Sequence, residues 1–285
     1  MRIAELSAKE VDLHVHSALE VGIDFFDHAD IYAGGKAEEV FAEVLSNSPG
    51  LREKMMIQSK CGIRNGLFDF SKEHILASVE GILKRLKTDY LDVLLLHRPD
   101  TLVEPEEVAE AFDILEQKGM VKHFGVSNQN PTQIELLKKN VKQKLLFNQL
   151  QLSITNTGMI DAGLNVNMAN PASIDHDGGI LEYSRLHDMT IQPWSPFQYG
   201  FFEGVFLDND KFPELNKVVD RLALEKDVAN TAIAIAWLLR HPAKMQPIVG
   251  TTNTKRLLDI AKASDITLTR QEWYEVYRAA GNKLP

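Results

Sequence analysis

Two periodicities share this chain. Short, nearly continuous apolar runs read as buried strands at residues 23–27, 55–60, 91–97, 121–126, 145–149, 189–194 and 246–249. Between them, apolar residues recur at three- and four-residue spacing and predict helices over 36–45, 71–86, 105–117, 179–187, 213–224, 229–240 and 269–280, with others after 131 and up to 260. A further helix precedes the first strand. Ser7-Ala8-Lys9-Glu10 is a capping box, Val11, Val15, Ala18 and Leu19 fall on one face, and Gly22 stops the helix. Strand followed by helix, repeated every thirty to forty residues or so, predicts a parallel sheet with helical crossovers. No Gly-x-Gly-x-x-Gly follows the first strand, which argues against a doubly wound dinucleotide fold.

Two stretches escape the pattern. Residues 153–177 read as a long irregular loop, and 197–210 as a second one carrying Phe197, Tyr199, Phe201, Phe202 and Phe206. Loops of that length inside a compact fold are often functional, and so many rings imply a surface to cover.

Composition narrows the class. The 285 residues include 25% charged and 44% hydrophobic positions, near the globular average. The apolar run at 231–239 is too short to span a bilayer, so no membrane partner is expected. A formal charge of −9 without a basic cluster argues against a nucleic-acid partner. Cys61 is the single cysteine, so no internal disulfide forms, and a reducing cytoplasm is the expected compartment.

Candidate chemistry sits where strands end. Asp27 and Tyr32 follow the first clear strand, Lys60 ends the second and His97 the third. In barrels of parallel strands those ends share one mouth, where catalytic groups collect. Asp12, His14 and His16 imitate the metal-binding strand of TIM-barrel phosphoesterases. On a helix, however, residues two apart diverge by roughly 200°, and the capping box before them favours a helix. Beside Lys60, Cys61 reads as a small buried hydrophobe, turned away from the mouth by strand alternation.

These strand ends resemble those of the aldo-keto reductase superfamily, in its bacterial branch of predicted oxidoreductases. The resemblance covers nearly the whole chain and includes Gly125-Val126-Ser127-Asn128, Asn148-Gln149, Trp194-Ser195-Pro196 and Gly250-Thr251-Thr252, with Leu94-Leu95-Leu96-His97-Arg98-Pro99-Asp100 as the branch signature. It implies an α/β fold, a (β/α)8 TIM barrel formed as one domain by residues 1–285. It also implies NADPH-dependent reduction of a small aldehyde or ketone to an alcohol.

In such an enzyme Tyr32 donates the proton, Lys60 stabilises the phenolate, Asp27 keeps the lysine charged and His97 orients the carbonyl. A lysine at about 4 Å contributes roughly 4 kcal/mol at an effective dielectric of 20, which would lower the phenol pKa by about three units. Ser127, Asn128 and Gln149 bond the nicotinamide amide, and Trp194 stacks on its ring. Ser195 meets the pyrophosphate, Gly250, Thr251 and Thr252 open a helix toward an anion, and Arg256 grips the adenosine 2′-phosphate, favouring NADPH over NADH.

The sequence departs from the family in three places, the first being Asp259 and Ile260, which stand where an acidic and amide pair commonly contacts adenine. Ala33 stands where a glycine usually follows the tyrosine, and only six residues precede Ser7. A barrel whose first strand is missing or truncated is therefore expected, with Met1-Arg2-Ile3 as its remnant and an exposed edge on the strand at 23–27 that a homodimer could cover. Two other functions compete: a nucleotide-binding regulatory barrel with vestigial chemistry, and the metal-dependent phosphoesterase.

Overall fold

The computed structural model describes residues 2–284. Strands β1 (Phe25–Asp27), β2 (Met56–Cys61), β3 (Leu91–Leu96), β4 (Val121–Ser127), β5 (Leu145–Gln151) and β6 (Thr190–Trp194) are interleaved with helices. The helices are α1 (Ala8–Glu20), α2 (Lys36–Asn47), α3 (Lys72–Leu86), α4 (Pro105–Gln117), α5 (Pro131–Lys138), α6 (Gly158–Leu164), α7 (Ile180–Leu186), α8 (Pro213–Glu225), α9 (Asn230–Leu239), α10 (Thr254–Ala261) and α11 (Arg270–Ala279). The chain divides into two compact units after Asn148, so β5 begins in the first and ends in the second.

In the first unit the strands follow the order β1-β2-β3-β4-β5. The ladders joining β1 to β4 are parallel, with Asp27 opposite Gln58, Lys60 opposite Leu95 and Leu96 opposite Val126. Every residue of β3 is buried, and its sequence is apolar but for Asp92, as expected of a parallel strand shielded on both faces. From α3, Ile75, Val79, Ile82 and Leu86 are fully buried, and on α4 the Phe112 ring stacks on Phe124 of β4 at 4.0 Å between centroids. Gly125, the next residue along β4, serves a different contact. A Cβ there would lie 2.7 Å from both the Phe147 carbonyl oxygen and Leu95, so this glycine serves close strand approach.

Asp92 lies near the start of β3. Its carboxylate accepts from Arg52 at 2.8 Å, Lys122 at 3.0 Å and the Ile57 amide at 2.9 Å. Burial pushes its pKa up, but those donors outweigh burial and hold it below the ordinary value. This charged cluster joins β2, β3 and β4 away from the strand ends that carry the candidate chemistry.

The Ser7–Glu10 capping box forms and starts α1, which buries Val11, Val15 and Ala18; Leu19 is half-buried. The expected remnant of a first strand does not form at Arg2 and Ile3; Met1 lies outside the described residues. Arg2–Glu5 is a 3-10 turn, in which the Leu6 amide returns to the Ile3 carbonyl at 3.1 Å, a local bond in place of a ladder. β1 therefore ends the strand order, and Phe25 and Phe26 are half-buried.

In the second unit the end of β5 is followed by β6. The strand expected at 246–249 is reduced to isolated bridges, Ile191 with Met245 and Trp194 with Ile248. The Gln246 and Ile248 amides still donate to the Ile191 and Pro193 carbonyls, but Pro193 has no N–H to return to the Gln246 carbonyl, so the ladder is interrupted between the bridges. The stretch 153–177, expected to be irregular, contains α6 and a 3-10 turn at Pro171–Ser173. The aromatic stretch forms a small hairpin, Gln198–Tyr199 with Gly204–Val205; Phe206 is buried while Phe201 and Phe202 are exposed. Residues 250–252 precede α10 instead of opening it. The N-cap is Asn253, whose Oδ1 accepts from the Arg256 amide at 2.9 Å.

The core of this unit packs α8, α9 and α11. The Trp237 and Trp273 rings stack at 4.7 Å, and each indole N–H bonds the other residue's carbonyl at 3.0 Å. Among the described residues no helix is long and apolar enough to cross a membrane.

Candidate active site

Parallel register assembles the first group. β1 ends at Asp27, Lys60 is the penultimate residue of β2, and His97 follows β3, its amide bonded to the Cys61 carbonyl at 2.9 Å. After β1 the chain stays tied to β2: the His28 amide donates to Gln58 O at 2.8 Å and the Asp30 amide to Lys60 O at 3.1 Å. It then turns through a 3-10 segment, Tyr32–Gly35. Ala33 sits in this turn with φ 51° and ψ 39°, the left-handed region, at a cost of roughly 1–2 kcal/mol. A glycine would adopt it freely.

All four predicted residues meet within the first unit. Lys60, fully buried, places Nζ 2.7 Å and 2.9 Å from the two Asp27 carboxylate oxygens, 2.7 Å from the His28 carbonyl and 3.2 Å from the Tyr32 hydroxyl. Tyr32 and His97 meet edge-on with ring centroids 6.1 Å apart. Burial lowers the Lys60 pKa, but Asp27 and Tyr32 outweigh it, so the ammonium is held charged. For Tyr32, burial raises the pKa, Lys60 opposes and Asp27 adds to the rise; the net shift is upward. The downward shift expected from Lys60 alone is not met. Removing the phenol from water and placing it near a carboxylate outweighs one ammonium.

His97 is pushed down to about 3, first by burial and then by the Lys60 charge, so the imidazole is neutral at neutral pH. Its Nδ1 is buried without a hydrogen-bond partner among the described residues. The arrangement is a protonated phenol touching an ammonium, beside a neutral imidazole. Such a group can give up a proton and stabilise the anion left behind.

Two neighbours escaped the sequence reading. Gln58 is buried, and its Nε2 donates to Asp27 Oδ1 at 2.6 Å. Half-buried Arg98 follows His97, and its charge acts on both Tyr32 and His97. Alternation placed Gln58 on the face of Lys60, a signal that was there to be read. Cys61 behaves as expected: it is fully buried, and burial raises its thiol pKa well above the ordinary value.

These burials predict a pH-dependent stability. His28 and His97 are lowered to about 3 and His241 to about 4, in each case mainly by burial. The unfolded chain binds more protons between those values and about 6.5, so this stability is full above that pH and lost as pH falls through the window. Asp30, raised to about 6 by burial and then by Glu38, acts in the opposite sense, its contribution being lost as pH rises toward 6. Glu38 and Asp177, also raised by burial, side with Asp30, while the lowered carboxyls of Asp69, Asp92 and Glu272 side with the three histidines, and the balance favours loss toward acid. The melting temperature is expected to fall as pH is lowered from about 6.5 toward 4, and a flat profile would contradict these assignments.

The residues expected to hold a cofactor fall in both units. In the first, Ser127 ends β4 and is buried; Asn128 follows with φ 56°, its Nδ2 2.8 Å from Ser127 Oγ. Nearby in sequence, Asn148 donates to the Gln129 carbonyl at 2.8 Å. Asn148 Oδ1 and Gln129 Oε1 are buried without partners among the described residues. Orphaned amide oxygens suit the N–H donors of a carboxamide, so the set fits a nicotinamide group.

In the second unit, Gln149 donates to Gln192 at 3.1 Å and Gln192 to Gln246 at 2.9 Å. Trp194 is half-buried, stacked against Phe202 at 5.8 Å. Ser195 has φ 53° and its carbonyl accepts from the Gln198 amide at 3.0 Å. Thr251 bonds Asn253 through its hydroxyl, Gly250 is exposed, Thr252 is half-buried, and Arg256 is exposed on the first turn of α10. Asp12, His14 and His16 lie on α1, with His16 Nδ1 2.9 Å from the Asp12 carbonyl.

A family model described as the aldo/keto reductase family matches residues 2–280. The chain belongs to this family. Among curated aldo/keto reductase relatives, it is 36% identical over 291 residues to 6-dehydroglucose reductase of Agrobacterium fabrum, covering 98% of this chain and 91% of that protein. It is also 34% identical to the oxidoreductase YdhF of Escherichia coli, covering 96% and 89%. Among solved structures, an aldo-keto reductase from Klebsiella pneumoniae in complex with NADPH matches with a TM-score of 0.76 at 22% identity, covering 95% of this chain and 84% of that one. A thermostable aldo-keto reductase, Tm1743, in complex with the inhibitor epalrestat, matches at 0.74 and 23%, covering 95% and 88%. These structural likenesses show the fold, an α/β barrel of the (β/α)8 type, in an oxidoreductase family.

Proposed function

We propose that this aldo/keto reductase is an NADPH-dependent enzyme that reduces a small aldehyde or ketone to an alcohol, with Tyr32 as the proton donor. The observation that carries the reading is Lys60, bound to Asp27 and 3.2 Å from the Tyr32 hydroxyl. NADPH, when bound, supplies a hydride to the carbonyl carbon. The protein supplies the proton and the surroundings for the negative charge. Tyr32 Oη gives its proton to the carbonyl oxygen, and Lys60 Nζ stabilises the phenolate that remains. Asp27 holds the ammonium in place and charged. His97, kept neutral, orients the carbonyl oxygen as a hydrogen-bond donor.

Ser127, Asn128 and Gln149 serve the carboxamide in this reading, and Trp194 the nicotinamide ring. Ser195 serves the pyrophosphate, Gly250, Thr251 and Thr252 an anionic group, and Arg256 the 2′-phosphate. The named ligands of the Klebsiella structures, NADPH in one and NADP with acetate in another, support the cofactor. Residues 1–285 act as one catalytic domain.

Tryptophan fluorescence tests this directly. Trp237 and Trp273 are buried against each other, which leaves Trp194 as the responsive ring. NADPH is expected to quench it with micromolar affinity and to bind more tightly than NADH. Arg256→Ala should weaken NADPH binding about tenfold, the loss of one charge-assisted contact, and leave NADH within about twofold. Equal affinity of the wild type for both nucleotides would remove the Arg256 assignment. Binding of neither would overturn the cofactor reading.

A further inference from the structure

The ammonium of Lys60 has three N–H bonds, yet four acceptors lie within reach. Asp27 Oδ2 and the His28 carbonyl stand at 2.7 Å, Asp27 Oδ1 at 2.9 Å and the Tyr32 hydroxyl at 3.2 Å. Tyr32 is the farthest of the four, so it is the partner forfeited if the others take all three protons. Gln58 bears on that competition. It lies two residues before Lys60 on β2, on the same face, and its ladder partner is Asp27. Its Nε2 approaches Asp27 Oδ1 to 2.6 Å, closer than Lys60 does.

We propose that Gln58 is a positioning residue for proton transfer: by donating to Asp27 Oδ1 it frees one Lys60 proton for the Tyr32 hydroxyl. The charged and titratable groups around that hydroxyl are Lys60, Asp27, Arg98 and the neutral His97. Lys60 hydrogen-bonds Tyr32 and Asp27 alike, so the partition of its protons bears on how well the phenolate is stabilised. This inference rests on Tyr32 being the proton donor.

Gln58→Met keeps the length of the side chain and removes the N–H. Asp27 Oδ1 then recaptures a Lys60 proton and Tyr32 loses its partner. With NADPH and para-nitrobenzaldehyde as the probe pair, the single-turnover rate is expected to fall about tenfold, with KM and NADPH affinity within about twofold. The solvent deuterium isotope effect on that rate should rise, because proton transfer becomes harder. Packing alone would lower the melting temperature without moving the isotope effect. Gln58→Leu serves as the second donor-free variant should Met fold poorly. Tyr32→Phe is measured alongside: if it remains active, the proton-donor reading fails and this inference with it. If Tyr32→Phe is inactive while a folded Gln58 variant keeps the wild-type rate and isotope effect, the role of Gln58 alone is overturned.

Discussion

Replacing Tyr32 with phenylalanine is expected to lower turnover about a thousandfold while NADPH affinity stays within about twofold. The substitution removes one atom, the hydroxyl 3.2 Å from Lys60, and keeps the ring that meets His97 edge-on and lies 4.8 Å under the Lys60 ammonium. Cofactor contacts assigned to Ser127, Asn128 and Trp194 do not involve that atom. The substitution therefore separates chemistry from binding. Turnover within about tenfold of the wild type would mean that another group supplies the proton. The measurement is a single-turnover rate with fluorescence binding on the same preparation.

Lys60→Met should damage both stability and chemistry. Lys60 is fully buried and the Asp27 side chain nearly so, so removing the cation leaves a buried carboxylate without its counter-charge, although Gln58 still donates to it. Breaking a buried pair from one side costs about 3–5 kcal/mol, because the surviving charge is left desolvated. The loss should appear as a lower urea midpoint with little change in slope. Pairing it with Asp27→Asn removes the stranded charge, so the double variant should regain most of the stability. Turnover should recover in neither, since the phenolate has lost its counter-charge. A single variant within about 1 kcal/mol of the wild type would show that the ion pair is not what the geometry indicates.

The four central residues could be read from sequence for a local reason. Each sits at the end of an apolar run or in the turn after it, and the chain signals such ends with a charged residue, a histidine or paired glycines. The capping boxes at Ser7 and Thr269 were equally legible, because both partners lie within three residues of each other and both boxes form. Failures occurred where partners are distant or a donor is missing. The expected last strand breaks into bridges because Pro193, on a segment far away in sequence, has no N–H for the Gln246 carbonyl. α6 was concealed by glycines at both ends of a short helix, Gly158 and Gly163, and by an interior Asp161 that accepts from Tyr277.

By itself, then, the sequence determined most of the order of strands and helices, the capped starts of α1 and α11 and the positions of Asp27, Tyr32, Lys60 and His97 along the chain. These follow from local patterning and nearest-neighbour hydrogen bonding. Tertiary structure alone decided what those residues experience. It set Asp27 opposite Gln58, gave three Lys60 protons four acceptors, and buried Tyr32 deeply enough to raise its pKa where the lysine alone would have lowered it. Ladder register and desolvation depend on segments that are remote in sequence and adjacent only after folding, so no local pattern encodes them.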